Sequence, residues 1–142
     1  MAATRNKLVE WFWNVHPKLY RWSGGRLGGR LMNMPVLLLT TRGRRSGELR
    51  TRALMYFPDD ERFVVIASFL GEPRHPDWWL NLRAHPKADV EIGSRRLSVT
   101  AREAQGEERE RLWNAVVARQ KDYAEYAQRT TRRIPIVVLE PA

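Results

Sequence analysis

"PVLLLTTRGRRSGELRTRALMYF" spans Pro35–Phe57, and its reading decides the class of fold. Pro35–Thr41 is an apolar run of strand length. The stretch Thr40–Arg52 then holds five arginines, two glycines and a single acid. A loop of this kind after a strand invites a P-loop reading, but the G-K-[ST] ending is missing and no helix follows. Leu49–Phe57 reads instead as a second strand. The stretch is therefore a basic hairpin, and the domain is built on a sheet of hairpins instead of a nucleotide-binding βαβ unit.

The turn of this hairpin has its own chemistry. Gly43 and Gly47 allow a tight turn whose backbone N–H groups face an anion. Arg44 and Arg45 can fork onto phosphate oxygens, and Arg50 and Arg52, two apart on the second strand, share a face. The competing reading is a charged turn that keeps a sheet edge soluble. Surplus charge of one sign repels itself, which favours an anionic ligand.

Outward from the hairpin the chain continues in short elements. Residues 58–61 form a turn, Arg62–Ser68 a third strand, and a short helix starts near Pro76–Asp77 and stops before Pro86. Residues 87–92 and 95–104 are two strands joined at Gly93–Ser94. Glu107–Gln128 reads as one long helix, with Leu112, Trp113, Val116, Val117, Tyr123, Ala124 and Ala127 on one apolar face. Ile134–Glu140 closes the sheet. Toward the N-terminus, residues 4–22 are aromatic and basic and are split by Pro17, and Ser23–Arg30 reads as a glycine-rich joint. Residues 1–30 carry six Lys/Arg and one Glu. The expected organisation is an amphipathic segment over 1–30 and a mainly β, barrel-like domain over 31–142. That domain has about six strands, a short helix after the third strand and one long C-terminal helix.

The bulk numbers agree with one domain. The chain has 142 residues, a net charge of +9 and no cysteine. That composition excludes disulfides and thiolate metal sites and suits a reducing cytoplasm. No apolar stretch reaches the roughly 18 residues of a membrane span, and no signal-peptide pattern is visible. His75 and His85 are ten residues apart, about 15 Å along a helix, too far to share an ion; His16 is remote from both. No G-x-S-x-G elbow is present. Ser68, at a strand end, is a candidate hydrogen-bond donor or a plain surface cap. Tyr123 and Tyr126 are helical neighbours that line a pocket or fill the core. Of Trp78 and Trp79, one is expected inside and the other against a ligand. No nucleic-acid motif appears, and the basic residues are scattered, so nucleic acid is not an expected partner.

In their order and spacing, "LLLTTRGRRSGELRTRAL", "VVIAS", "HPDWWLNLRAHPKADVEI", "TAREA" and "RRIPIVVLEP" resemble the deazaflavin-dependent nitroreductase family. The likeness covers Pro35–Pro141 and implies a split β-barrel that uses coenzyme F420, an 8-hydroxy-5-deazaflavin with a phosphate and a polyglutamate tail. By that resemblance Arg44, Arg45 and Ser46 clasp the phosphate. Arg50, Thr51, Arg52, Ala53, Leu54 and Met55 line the cofactor along the second strand, and Ile66, Ala67, Ser68 and Phe69 meet its ring. Asp77, Trp78, Trp79, Leu80 and Asn81 contribute from a helix start, and Tyr123 closes over the ring. Ser68, Tyr123 and Tyr126 are the candidates to hydrogen-bond or protonate an acceptor that has received a hydride. The nitro-reducing members carry tyrosines where this chain has Met55 and Gln120, so the expected acceptor is a hydrophobic quinone or enone ahead of a nitroaromatic. The N-terminal segment is expected either to lie over the barrel mouth or to touch anionic lipid at the inner face of the cell membrane. A monomer and a homodimer both fit. The alternatives are a non-catalytic nucleic-acid or lipid-binding module and an FMN- or haem-binding split barrel.

Overall fold

The computed structural model describes residues 17–18, 21, 30–31, 34–68, 71 and 73–142. Residues 17, 18 and 21 apart, the expectations for the N-terminal segment, for the joint as far as residue 29, for His16 and for Phe69 lie outside the described residues. Along the chain the elements are β1 (Arg30–Leu31), β2 (Met34–Arg42), β3 (Leu49–Met55), β4 (Phe57–Asp59) and β5 (Arg62–Ile66). They continue with α1 (Asp77–Ala84), β6 (Lys87–Ile92), β7 (Arg95–Glu103), α2 (Gly106–Arg119), α3 (Asp122–Gln128) and β8 (Ile136–Pro141).

Among the described residues every strand pairing is antiparallel, in the order β1-β2-β6-β7-β8-β5-β4, with β3 also paired to β2. The basic hairpin is β2–β3, in the register Arg42↔Leu49 to Val36↔Met55. Strand alternation sorts the apolar side chains into two faces. Leu37, Leu39, Val65, Ala67, Ala88, Val90, Val99, Ala101, Val137 and Leu139 converge inside the barrel, where α1 adds Trp78, Trp79 and Leu82. On the outer face of β5 and β8, Val64, Ile66, Ile136 and Val138 join Phe57 under Leu112, Val116 and Tyr123 of the C-terminal helices. Val36, Leu38 and Ala53 form a third cluster, and Met55 packs against both it and the second.

Three expectations need correction. There are eight described strands, since β1 begins within the expected joint and β4 separates from the second strand. At that break Tyr56 N donates to Pro35 O at 3.0 Å. Pro58 lies in β4, at the end of the sheet order, where a missing N–H removes no ladder bond. The turn is at Asp60, whose φ is 56°. The long helix is two helices, because Gln120 is extended at φ −145°, ψ 97° and α3 restarts beyond it. Finally, Trp78 and Trp79 are both buried, 8% and 4% exposed, in the barrel interior. A short helix that plugs a barrel presents a wide arc to the core, wide enough for adjacent positions.

Candidate active site

The arginine turn is a built structure. Gly43 N donates to Glu48 O at 2.7 Å and Gly47 N to Gly43 O at 2.9 Å. Gly47 has φ 74°, and a Cβ on Gly43 would stand 2.7 Å from Ser46 Oγ, so a side chain at either position would strain the turn as built. Ser46 Oγ accepts from Glu48 N at 3.1 Å, which makes this serine a turn-former.

The two central arginines part company. Arg44 N and Arg44 Nη1 both donate to Asn81 Oδ1, at 3.1 and 2.9 Å, and Arg44 Nη2 reaches Asp77 Oδ1 at 3.4 Å. Asn81 is buried and its Nδ2 donates to Thr41 Oγ1 at 3.4 Å. Arg44 thus pins the turn to α1. Arg45 is exposed and has no partner among the described residues. Of the two arginines expected at the phosphate, Arg44 faces the protein and Arg45 faces solvent. Arg50 pairs with Glu48 at 3.3 Å, and Arg52 Nη1 donates to Thr51 O at 3.1 Å. Thr51 Oγ1 lies 2.8 Å from Thr40 Oγ1 and accepts from Arg21 Nη2 at 3.2 Å.

At the other end of the hairpin a second group gathers. Tyr123 is 5% exposed, with Phe57 and Tyr126 set edge-on to its ring at centroid distances of 5.9 and 5.8 Å. Burial raises both phenols above the ordinary tyrosine range, so they remain protonated donors at neutral pH. Met55, Ile66 and Tyr126 belong to the same cluster. Ala67 faces the barrel interior, and Ser68, two residues beyond the end of β5, is buried. By strand alternation Leu54 packs inward while Ala53 and Met55 face outward. Trp78 and Trp79 pack in the barrel interior, and Leu80 is half-buried beside them. Among the described residues, the hydroxyls of Ser68 and Tyr123 form no hydrogen bond. Buried hydroxyls of this kind normally have a partner.

Arg132, the first residue of the quoted "RRIPIVVLEP" stretch, is held by several hydrogen bonds. Its Nη1 donates to Ala67 O at 3.1 Å and lies 3.1 Å from His75 Nδ1, and its Nη2 donates to Ser68 O at 2.7 Å. The nearest sequence signal is its position just ahead of the last buried strand.

The two groups lie at opposite ends of β3, six residue steps apart in the register from Leu49 to Met55, roughly 20 Å at strand spacing. One end offers a solvent-facing guanidinium on a rigid turn. The other offers apolar side chains and the buried Tyr123 hydroxyl, with Ser68 just beyond the end of β5; neither hydroxyl is hydrogen-bonded among the described residues.

Comparison with known proteins points to one family. The sequence profile of the F420H(2)-dependent quinone reductases matches residues 11–141. An F420H(2)-dependent quinone reductase of Mycobacterium tuberculosis is 38% identical over 129 residues, 88% of this chain and 87% of that protein. A solved F420-H2 dependent reductase, FDR-A, is 40% identical with a TM-score of 0.68, covering 75% of this chain and 94% of its own. A further structure, described as a domain-swapped dimer, is 35% identical with a TM-score of 0.71 over 94% of this chain and 100% of that one. The split-barrel fold, the basic hairpin and these likenesses converge: the chain belongs to the F420H(2)-dependent quinone reductase family, is an F420H2-dependent reductase and takes coenzyme F420 as its cofactor.

Proposed function

We propose that β3 is the track along which this enzyme holds its cofactor, with Arg45 at the anionic tail and Met55, Ile66, Ser68, Tyr123 and Tyr126 around the reacting end. When bound, reduced F420 supplies a hydride. The remaining steps fall to the protein. Arg44, tied to Asn81 and Asp77, keeps the turn rigid so that Arg45 meets the tail without first being ordered. Met55 and Ile66 give a flat acceptor an apolar wall. A quinone that has gained a hydride carries an oxyanion, and the protonated hydroxyls of Tyr123, Tyr126 and Ser68 are the donors set to stabilise and neutralise it. The observation that carries this reading is the pairing of an exposed Arg45 at one end of β3 with the buried hydroxyls of Ser68 and Tyr123 toward the other, all without hydrogen-bond partners among the described residues.

The test is a titration with F420. Arg45→Glu is expected to weaken binding by at least about tenfold, the loss of one charge-assisted hydrogen bond and its reversal, with an unchanged melting temperature. Equal affinity in the variant and the parent would remove Arg45 from the site. Reoxidation of the reduced cofactor by a panel of quinones and nitroaromatics then ranks the acceptors, and quinones are expected first. A homodimer in the cytoplasm is the assembly we infer, with the domain-swapped neighbour in its favour; light scattering checks it. Among the described residues no helix is long and apolar enough to cross a membrane. The basic, aromatic N-terminal segment motivates peripheral contact with anionic lipid, checked by sedimentation with anionic vesicles.

A further inference from the structure

The connection that leaves β5 is tied to the connection that enters β8 from several sides. Ala67 N donates to Pro135 O at 3.0 Å, and Gly71 N donates to Ser68 O at 2.9 Å. Arg132 adds its two bonds to the carbonyls of Ala67 and Ser68. A Cβ on Gly71 would stand 2.8 Å from Tyr126 O and 2.8 Å from Arg129 Cβ, so the backbone there lies flush against the end of α3. On the far side Arg109 Nη1 donates to Ile134 O at 2.7 Å and fastens the same connection to α2. Arg132 thus sits where the strand end bearing Ser68 meets the helix bearing Tyr123 and Tyr126.

Its contact with His75 sets a condition on this arrangement. A guanidinium has donors only, so a hydrogen bond from Nη1 requires a lone pair on His75 Nδ1 and a neutral ring. Protonation would place N–H against N–H and a second positive charge beside the first. Burial is the largest influence holding the imidazole below its usual range. Arg132 itself and Arg83 of α1 act in the same direction, and Glu103 at the end of β7 opposes them.

We propose that Arg132 is the positioning residue for the reaction and that His75 is its titratable partner: the neutral imidazole lets the guanidinium hold Ala67 and Ser68 in place, and the charged imidazole releases them. The positioning role rests on the reading of Ser68 given above. The hold itself is a property of the chain alone. It predicts an acid limb in turnover that originates away from the reacting atoms.

The experiment compares the parent with His75→Gln, whose amide oxygen can accept the same bond but does not titrate. Protection factors of the Ala67 and Gly71 amides are measured in the cofactor-free protein at pH 7.5 and 5.5. The parent is expected to lose protection at pH 5.5, by up to about tenfold for an open-state histidine near 6.5, while His75→Gln keeps it. Equal losses in both overturn the proposal. The kcat for quinone reduction is measured at the same two pH values. A larger acid loss in the parent than in His75→Gln supports the positioning role, and an identical ratio reduces Arg132 to a structural tie and overturns it. Arg132→Lys, a point charge that cannot fork onto both carbonyls, is expected to lower kcat at both pH values with F420 affinity retained. Failure of the parent to bind F420 would sink the site reading and the positioning role with it, while the exchange measurement still decides the Arg132–His75 hold.

Discussion

Asn81 is 5% exposed in α1, and three hydrogen bonds account for its burial. Its carbonyl oxygen accepts from the backbone and side chain of Arg44, and its amide donates to Thr41. Replacing it by leucine would leave Arg44 N–H without its acceptor and the turn tied to the helix, among the described residues, only through the longer Arg44–Asp77 contact. Asn81→Leu is expected to lower stability by about 1–3 kcal/mol, read as a fall in the urea midpoint, and to weaken F420 binding because Arg45 is no longer presented on a fixed turn. Arg45→Ala makes the contrast, with weaker binding and an unchanged midpoint. A stable Asn81→Leu protein with full affinity would show that the turn holds itself. The charge surplus of this turn was legible in the composition of Thr40–Arg52. The difference between Arg44 and Arg45 was not, since adjacent identical residues are separated only by the helix that one of them meets. The expectation that Trp78 and Trp79 face opposite ways fails for a related reason: a helical wheel describes a helix lying on a surface, and α1 packs into the barrel.

The strands were the most legible elements, because alternation and apolar runs depend on burial that each strand enforces locally. The second strand reads one element too far because Phe57 continues the apolar run of Leu54–Tyr56, whereas in the structure it pairs with Val64 as the start of β4. The C-terminal helix was read as continuous because Leu112, Val116 and Tyr123 do fall on one helical stripe. A signal of the break was nonetheless present. Arg119 in the last turn of α2 and Asp122 in the first turn of α3 are the charges that a helix end followed by a helix start prefers. The break makes a sharp prediction at Lys121, which has φ −64°, ψ −23° and follows an extended residue. Both conditions suit proline. Lys121→Pro is expected to leave stability unchanged or to raise it by about 0.4–1 kcal/mol, whereas a proline inside a continuous helix costs about 3 kcal/mol. Thermal unfolding of the variant separates the two cases. A large loss would restore the single helix, and with it a different position for Tyr123.

Across the whole molecule, charge pairing and net charge act together on acid stability. Asp59 accepts from Arg111 at 3.1 and 3.2 Å and from Arg62 at 2.5 Å, which joins the β4–β5 hairpin to α2. Glu108, in the first turn of α2, accepts from Arg102 at 2.5 and 2.9 Å and from Arg62 at 3.4 Å, while Arg102 also reaches Glu140 of β8 at 2.5 Å. The hydrogen bond from Arg111 is the main influence that holds the Asp59 carboxyl below its ordinary range, and the one from Arg102 does the same for Glu108. A carboxyl depressed in the folded state contributes stability that is complete above its unfolded value and is lost as pH falls through the folded one. His75 is also depressed, so the unfolded chain takes up its proton first and stability declines from about pH 6.5 downward. Each of these protonations adds to a chain that already carries +9, and self-repulsion deepens the loss at low ionic strength. The urea midpoint is therefore expected to be level between pH 8 and 7, to begin falling near 6.5 with the histidine, and to fall more steeply near pH 4 with the carboxyls. His75→Gln should remove the first step and leave the second. Stability that rises between pH 7 and 5 would mean that these groups are not held as the structure holds them.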